Sequence, residues 1–323
     1  MAATSAIELD LEQAFESHRR ELTAYCYRML GSGSEAEDAV QDTLVRAWKA
    51  ADRFEGRSSV RSWLYRIATN VCLDMHRAPQ RRARPMQLGA SQRADAAVLN
   101  QRPEETWVQP IADARAVPAE GDPAELAATR DSIRLAFVAA LQLLPARQRA
   151  VLILREVLKW QASEVAKLLD TTVASVNSSL QRARATLATC DLAQLDTVVD
   201  PQHEALLARY VDAFERYDMT ALVALLRDDV VMSMPPFDLW LEGPDQVVAW
   251  MVGPGKGCRG SRLVPIQLNG TAGFGSYRQA EPGRWEPWAV QVIEVADGKI
   301  VGHNSFVSPE LFLELGLPPH LEA

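Results

Sequence analysis

The chain has 323 residues, of which 48% are hydrophobic and 24% charged, and its formal net charge is −8. That length exceeds a typical single domain, and the composition is that of a folded globular protein rather than a disordered or fibrous one. The apolar runs are too short to span a membrane, the first residues lack a secretion-signal pattern, and the four cysteines form no CxxC pair. We therefore expect a multidomain cytoplasmic protein with no disulfide framework, no metal site and no cofactor.

The charge is unevenly distributed along the chain. Residues 126–190 carry nine Lys and Arg against four Asp and Glu, whereas residues 191–323 carry nine against nineteen. Residues 1–125 carry sixteen against nineteen. Only a basic stretch is suited to binding phosphates, so a nucleic-acid-binding part is predicted within residues 126–190, followed by a separate acidic part.

Three helices are predicted near the N-terminus. The first, residues 8–30, ends at Gly31, and Ser34 with Glu37 forms a capping-box pattern that opens the second. The third helix, residues 60–77, follows a loop. The apolar positions that should be buried on the second helix are Ala39, Val40, Leu44, Ala47 and Trp48.

The third helix mixes aromatic and basic residues, among them Trp63, Tyr65 and Arg66. Bases stack on aromatic rings and phosphates bind guanidinium groups, so this mixture is typical of a surface for single-stranded DNA. The same spacing would also place Trp63 and Tyr65 in a hydrophobic core, and both interpretations remain open.

Residues 85–125 are rich in Pro, Ala and acidic residues and show no sustained periodicity, which predicts a linker. A hydrophobic island at residues 106–111 interrupts it. This island docks either on a partner or on the folded protein itself.

Residues 144–189 predict a helix-turn-helix. Asp170 suits a left-handed turn and Thr172 suits the N-cap of the second helix. The residues that share the buried face of that helix are Val176, Leu180, Ala183 and Leu187. The residues that point the opposite way are Asn177, Ser178, Gln181 and Arg182. Asn, Gln and Arg form paired hydrogen bonds with base edges, so we expect this face to bind DNA.

The C-terminal part has an α+β pattern. A helix over residues 203–226 is broken at Asp218, short strands and a helix at residues 244–252 follow, and the remaining strands include a hairpin turn at Asp297-Gly298. We expect a curved antiparallel sheet.

The segments EDAVQDTLVRAW, RFEGRSSVRSWLYRIATNVCLD, LPARQRAVLILR and SVNSSLQRARATL, in this order, resemble the conserved regions of bacterial sigma factors. They are most similar to the extracytoplasmic-function group of the sigma-70 family. The resemblance covers about residues 10–190. It implies a promoter-specificity subunit of RNA polymerase with two all-α domains, region 2 at residues 8–84 and region 4 at residues 126–190. The linker at residues 85–125 would thread through the polymerase.

The resemblance also implies roles for individual residues and two partners, core RNA polymerase (its clamp helices and flap) and promoter DNA. The residues implied to contact the clamp helices are Asp38, Gln41, Asp42 and Arg46. Those implied to melt and read the −10 element, with the loop at residues 55–59, are Arg57, Trp63, Arg66 and Asn70. Those implied to read the −35 element are Asn177, Ser178, Gln181 and Arg182. The departures from the family pattern are Gln161 at a helix cap, Asp170 in the turn, and Asn177 where a basic residue is common.

The phrases DDVVMSMPPFDLWLEGPDQVVAWM and VIEVADGKIVGHNSF resemble the SnoaL-like group of the nuclear-transport-factor-2 cone fold, over about residues 203–315. That fold encloses a pocket, which in some relatives holds an acid–base pair. The candidate acid–base residues are Asp238, Glu242, Asp245 and His303, and the candidate pocket walls are Trp240, Trp250, Trp285 and Trp288. His303 follows a hairpin turn and could be on the surface.

We expect a sigma factor that is not an enzyme. Its acidic C-terminal domain would regulate it, either by sensing a small-molecule ligand or by attracting the basic residues 126–190. In another interpretation, that domain packs on the sigma regions through apolar surface and is needed for activity. The alternative is a pocket enzyme of the isomerase or cyclase kind that carries DNA-binding helices.

Overall fold

The structure, a computed structural model, describes residues 2–54, 56, 58–75, 82–190 and 201–323. They form two compact units. The first unit joins the residues up to Arg82 to a stretch that begins at Asp113, and the second joins Ala83–Ala112 to the C-terminal residues. The segment between the two parts of the first unit therefore belongs to the second unit.

The first unit is helical. Its helices are α1 (Ala2–Leu30), α2 (Gly33–Ala50), α3 (Val60–Met75), α4 (Asp113–Ala116), α5 (Pro123–Asp131), α6 (Leu135–Gln142), α7 (Ala146–Leu152), α8 (Ala162–Leu168) and α9 (Val173–Leu187). The predicted helices are all present, and one π-helical turn, Ile153–Val157, extends α7. The predicted end of the third helix, residues 76 and 77, lies outside the described residues.

Helix α2 begins earlier than predicted. Gly31 adopts a left-handed backbone with φ +78°, which ends α1. Ser32 is the N-cap, because its hydroxyl accepts a hydrogen bond from the backbone N–H of Glu35 at 3.3 Å. The predicted capping box at Ser34 is therefore wrong, since Ser34 already lies within the helix.

The buried stripe of α2 also differs from the prediction. Leu44 is half-buried and Trp48 leaves 46% of its surface exposed, while Ala36 and Thr43 are buried in their place. The buried positions recur every three or four residues. Trp48 lies one residue beyond the buried Ala47, about 100° around the helix, and so points away from the core.

One buried arginine connects three helices of the first unit. Arg149, on α7, is 1% exposed and donates to the backbone oxygens of Leu141 at 2.8 Å, Gln142 at 3.2 Å and Leu144 at 3.1 Å. It also donates to the backbone oxygen of Met29, near the end of α1. The carbonyl groups that a helix leaves unpaired at its C-terminus are thereby satisfied at the ends of α1 and α6.

Two further contacts join α1 and α3 to the later helices. The buried Arg28 guanidinium donates to the Ser132 hydroxyl at 2.9 Å, and burial lowers the pKa of Arg28 to about 10. On α3, the ring of Tyr65 lies 5.2 Å from that of Trp160, which precedes α8. The first three helices and the helix-turn-helix therefore form one body.

The second unit is α+β. Its helices are α10 (Pro201–Glu215), α11 (Met219–Val223), α12 (Pro244–Val252) and α13 (Glu310–Glu314). Its strands are β1 (Leu226–Ser233), β2 (Trp240–Glu242), β3 (Arg262–Leu268), β4 (Thr271–Glu281), β5 (Arg284–Ala296), β6 (Lys299–Phe306) and β7 (Leu321–Glu322). As predicted, Asp218 separates the first two helices, where its side chain caps α11, and Asp297-Gly298 forms the β5–β6 turn with both φ angles positive.

The sheet has the order β2-β1-β6-β5-β4-β3, and β7 pairs with β5. The prediction of an antiparallel sheet is wrong for one pair, because β1 and β6 run parallel. The long connection between these two strands allows the parallel arrangement, which a short hairpin would forbid. A hydrophobic core forms between the sheet and α10 to α12, and its large side chains include Tyr210, Phe214, Trp250 and Phe274.

The inter-region segment, Ala83–Ala112, is ordered on this second unit. Its regular structure is limited to short 3-10 turns, and Trp107 is only 2% exposed. The Ile111 N–H donates to the Asn269 side-chain oxygen, and the Asn269 N–H donates to the Ile111 oxygen, both at 3.0 Å. Of the two alternatives for the hydrophobic island, docking on the folded protein is the one observed.

Replacing Arg149 with Met should destabilise the first unit by about 3 kcal/mol. The apolar stem is kept, but several buried carbonyl groups lose their donor. Thermal and urea unfolding measure the change, and Arg147→Met, an exposed position on the same helix, is the control. Equal stability of the two variants would contradict this account of Arg149.

Candidate DNA and polymerase interfaces

The helix-turn-helix has the predicted local geometry. Asp170 adopts a left-handed backbone with φ +50°, and the Thr172 hydroxyl accepts from the Ser175 N–H at 3.1 Å. At the start of α8, where Gln161 departs from the usual cap, the Glu164 carboxylate accepts from the Gln161 N–H at 2.7 Å. These bonds cap the starts of α8 and α9, and Asp170 makes the turn between them.

The predicted outward face of α9 is exposed. Val176, Leu180 and Ala183 are buried and Leu187 is half-buried. The four predicted DNA-reading residues, all exposed, are Asn177, Ser178, Gln181 and Arg182.

The charges of α9 favour phosphate binding. The Arg182 guanidinium donates to the hydroxyls of Ser178 at 2.8 Å and Ser179 at 3.3 Å, so it is held along the helix. No carboxylate in the described part of the chain pairs with it. Arg184 pairs with Glu156 at 2.5 Å. The helix contains no acidic residue that would repel a phosphate.

The structure separates the two aromatic residues of α3. Tyr65 is fully buried, whereas Trp63 is half-buried with its ring 4.8 Å from that of Phe54. Arg66 lies three residues beyond Trp63, and Asn70 lies four residues beyond Arg66. Both are exposed, so the three side chains share one face. The remaining predicted −10 residue, Arg57, lies outside the described residues.

The predicted polymerase-binding residues lie on the outward face of α2. Asp38, Gln41 and Asp42 are exposed. Arg46 is half-buried and pairs with Asp42 at 3.3 Å and with Asp74, on α3, at 3.0 Å.

Two apolar residues that were not predicted to belong to this face extend it. Val45 and Trp48 leave 42% and 46% of their surfaces exposed. Val45 lies three and four residues beyond Asp42 and Gln41, and this spacing was the signal that could have identified them. Exposed apolar residues beside carboxylates are typical of a surface that binds protein.

Helix α4 lies beside the same surface. Arg115 of α4 pairs with Glu37 of α2 at 2.7 Å. A cleft of about 150 Å³ between α1, α2 and α4 is lined by Arg19, Arg20, Thr23, Glu37, Val40, Gln41, Ala114 and Arg115. Helix α4 therefore lies next to the surface that includes Gln41, one of the predicted polymerase contacts.

In the second unit, the suggestion that His303 is on the surface is wrong. Its side chain is 7% exposed because β6 is an inner strand of the sheet. Its Nε2 lies 2.8 Å from the Tyr210 hydroxyl, which donates to the Gln291 side-chain oxygen at 2.8 Å. Burial lowers the pKa of His303 from 6.5 to about 4.

The four candidate wall tryptophans have different surroundings. Only Trp250 belongs to the core around Tyr210. Trp240 and Trp285 are half-buried and each donates its ring N–H to a loop carbonyl at 2.9 Å. Trp288 is covered by the guanidinium of Arg278, 3.4 Å from its ring centre.

The candidate carboxylates are not aimed into that core. Asp238 pairs with Arg102 of the inter-region segment at 3.1 Å, and Glu242 and Asp245 are exposed. Among the residues described, no cluster of His, Cys, Asp and Glu could hold a metal ion. Within the same part of the chain, no helix is long and apolar enough to cross a membrane.

A groove of about 370 Å³ lies elsewhere in the second unit, between residues 101–109 of the inter-region segment and residues 306–311. Its walls include Trp107, Pro235 and Phe306. The sequence gives no sign of this groove, because one of its walls belongs to a segment whose composition predicts a linker.

These arrangements define a sigma-type transcription factor joined to a cone-fold domain, and comparisons with known proteins agree. Family models match residues 14–82 (Sigma-70 region 2), residues 134–187 (Sigma-70, region 4) and residues 207–303 (SnoaL-like domain).

The chain belongs to the extracytoplasmic-function sigma factors of RNA polymerase. It is 41% identical over 321 residues to the ECF RNA polymerase sigma factor SigG of Mycobacterium tuberculosis, covering 97% of this chain and 85% of that protein. It is 26% identical to SigJ of the same organism, covering 92% of each. The crystal structure of SigJ has the same fold, with a TM-score of 0.60, 23% identity and coverage of 95% of this chain and 99% of that chain.

Lowering the pH should destabilise the second unit through His303. Because its pKa is lower in the folded protein, the unfolded chain binds the proton more readily, and stability falls as pH drops from about 6.5 towards 4. The loss should reach about 3 kcal/mol by pH 4.

Urea unfolding at several pH values measures this loss. His303→Gln should flatten the pH dependence by that amount, and His320→Gln, which removes a surface histidine, is the control. A slope that is the same in His303→Gln and the unaltered protein would contradict the assignment.

Proposed function

We propose that this sigma factor directs transcription initiation in the cytoplasm by binding core polymerase through α2 and promoter DNA through α3 and α9. The exposed face of α9 would read the −35 element, and the face of Trp63, Arg66 and Asn70 would open and read the −10 element. The observation that carries the proposal is the acid-free, exposed face of α9 on a helix-turn-helix within the segment that matches region 4.

The composition of α2 supports a protein partner for that helix. Asp38 and Asp42 would repel phosphates, whereas Val45 and Trp48 offer apolar surface that a partner can bury. Core polymerase, through its clamp helices, is the partner that fits the place of α2 in region 2. Region 4 would contact the polymerase flap.

The two DNA-binding faces cannot reach both promoter elements in the arrangement observed. The elements are named for positions about 25 base pairs apart, which is roughly 85 Å along B-DNA. In the protein, Tyr65 of α3 contacts Trp160 beside α8, with 5.2 Å between ring centres. We infer that this is a closed form of the sigma regions and that promoter binding requires them to separate.

For the second unit, we propose a regulatory function rather than a catalytic one. The His303 ring is buried and bonded to Tyr210, and Asp238 is bonded to Arg102, so neither is available to a substrate as an acid or base. A small molecule could regulate this unit by binding in the groove beside Trp107. The opposite charges of residues 126–190 and 191–323 would add a salt-sensitive attraction.

Arg182→Ala should weaken promoter binding by about 1–3 kcal/mol, because one base or phosphate contact is lost. The protein should remain folded, since the side chain is exposed. Binding of the holoenzyme to promoter DNA measures the effect, with Arg216→Ala, a surface arginine of the second unit, as the control. Unchanged affinity with Arg182→Ala would refute the assignment of this face.

Asn70→Ala should leave polymerase binding intact but impair promoter opening, because an unstacked base loses a hydrogen-bond partner. Permanganate reactivity of unpaired thymines reports the opening directly. Gln13→Ala, which removes an exposed amide from α1, is the control. If the Asn70 variant opens promoters as well as this control does, Asn70 has no part in melting.

A further inference from the structure

The chain between regions 2 and 4 leaves region 2 and then returns to it. It leaves at Arg82, which is buried and pairs with Glu35 of α2 at 2.6 Å. It returns at α4, where Asp113, Ala116 and the following Val117 are buried and Arg115 pairs with Glu37 of α2 at 2.7 Å. Both ends of the inter-region segment are therefore anchored on the same pair of helices, α1 and α2.

Between these anchors, the inter-region segment forms a closed loop. The Ala83 N–H donates to the Thr106 oxygen at 2.7 Å, and the Val108 N–H donates to the Ala83 oxygen at 3.1 Å. The start and the end of the loop are thus directly bonded. However long the loop is, it adds nothing to the distance that regions 2 and 4 can span.

The second unit holds the rest of this loop by backbone hydrogen bonds. The Gln92 N–H donates to the Trp240 oxygen and the Arg102 N–H to the Pro236 oxygen, both at 2.9 Å. Backbone bonds of this kind depend little on which side chains are present. The loop is therefore a structural part of the second unit.

The connection that remains is short. Residues 117–122 join the end of α4 at Ala116 to the start of α5 at Pro123, and we call these six residues the tether. Its first residue, Val117, is buried, and its last, Asp122, caps α5. Six extended residues span roughly 20 Å, whereas the 40 residues from Ala83 to Asp122 would span roughly 140 Å. The anchored α4 and the held loop thus remove most of the available reach.

We propose that the second unit regulates this sigma factor by keeping the connection between regions 2 and 4 short, with α4 anchored on α1 and α2. A short tether raises the effective concentration of region 4 beside region 2 and so favours the closed form. The loop-closure relation gives roughly a 15-fold difference between a connection of 6 and one of 40 residues. This inference rests on the proposed function, in which α3 and α9 must bind elements far apart.

The position of α4 also supplies a way to release it. Ala114 and Arg115 share a cleft with Gln41, which belongs to the proposed polymerase-binding face. A polymerase that binds α2 would approach the side chains that hold α4. Release of α4 would lengthen the connection at the stage when region 4 has to reach the −35 element.

The length of the tether, rather than a charge, is the property to change, because a partly exposed ion pair such as Arg115–Glu37 contributes little. Inserting 20 Gly and Ser residues between Ala119 and Glu120, both exposed, lengthens the tether itself. Inserting the same 20 residues between Ala90 and Ser91, also exposed, lengthens only the held loop. The two variants have identical composition and differ only in the place of the insertion.

Single-molecule energy transfer in the full-length protein measures the separation of the two regions. Dyes are attached at Lys49→Cys on α2 and Ala185→Cys on α9, in a background that carries Cys190→Ser and Cys258→Ser. The two remaining cysteines are buried. The tether insertion should raise the ratio of open to closed molecules roughly ninefold. The loop insertion should leave that ratio unchanged.

Equal effects of the two insertions, or no effect of either, would overturn the proposal. The measurement on the free protein tests the tether without DNA. Holoenzyme binding to a promoter that carries both elements is measured in parallel and should improve with the tether insertion alone. A change in energy transfer without a change in promoter binding would support the tether and refute the proposed function.

Discussion

The hydrogen bonds of the buried Arg149 guanidinium are the interaction on which the first unit depends. A buried charge is tolerated only when its donors are satisfied, and here the acceptors are carbonyl groups at the ends of α1 and α6. Since those carbonyls come from both sigma regions, one side chain bonds region 2 to region 4. The Tyr65–Trp160 contact joins the same two regions at a second place, between α3 and the start of α8.

The parts of the structure that the sequence predicted well are those governed by local rules. The turn at Asp170, the cap at Thr172 and the exposed face of α9 depend on spacing and on residue type alone, and the structure contains all three. The placement of Asn70 and Arg66 on one face of α3 follows from the same helical geometry.

The errors arose where a distant contact decides the outcome. Ser32 replaced Ser34 as the cap because Gly31 ended the preceding helix first. Local spacing could not reveal that β6 lies between β1 and β5, and this inner position is the reason that His303 is buried. The inter-region segment has no periodicity of its own, because its order comes from hydrogen bonds to the second unit, so composition alone favoured a flexible linker.

Two of the proposed functional surfaces of the first unit, those on α2 and α9, differ in charge. The face of α2 combines carboxylates with exposed apolar side chains, whereas α9 has arginines, amides and hydroxyls and no acid. Because of this difference, each surface disfavours the partner of the other. One small helical body can therefore bind a protein at one site and a nucleic acid at another.

The second unit is assembled from two stretches of chain that are far apart in the sequence, with region 4 between them. Cutting the chain after α9 would therefore not yield a simple two-region sigma factor, because Trp107 and Ile111 would lose the surface that covers them. The same interleaving restricts evolution. A recombination event that removes or exchanges the C-terminal residues alone would leave the apolar residues of the inter-region segment exposed between regions 2 and 4. The cone-fold domain and that segment must therefore be inherited together.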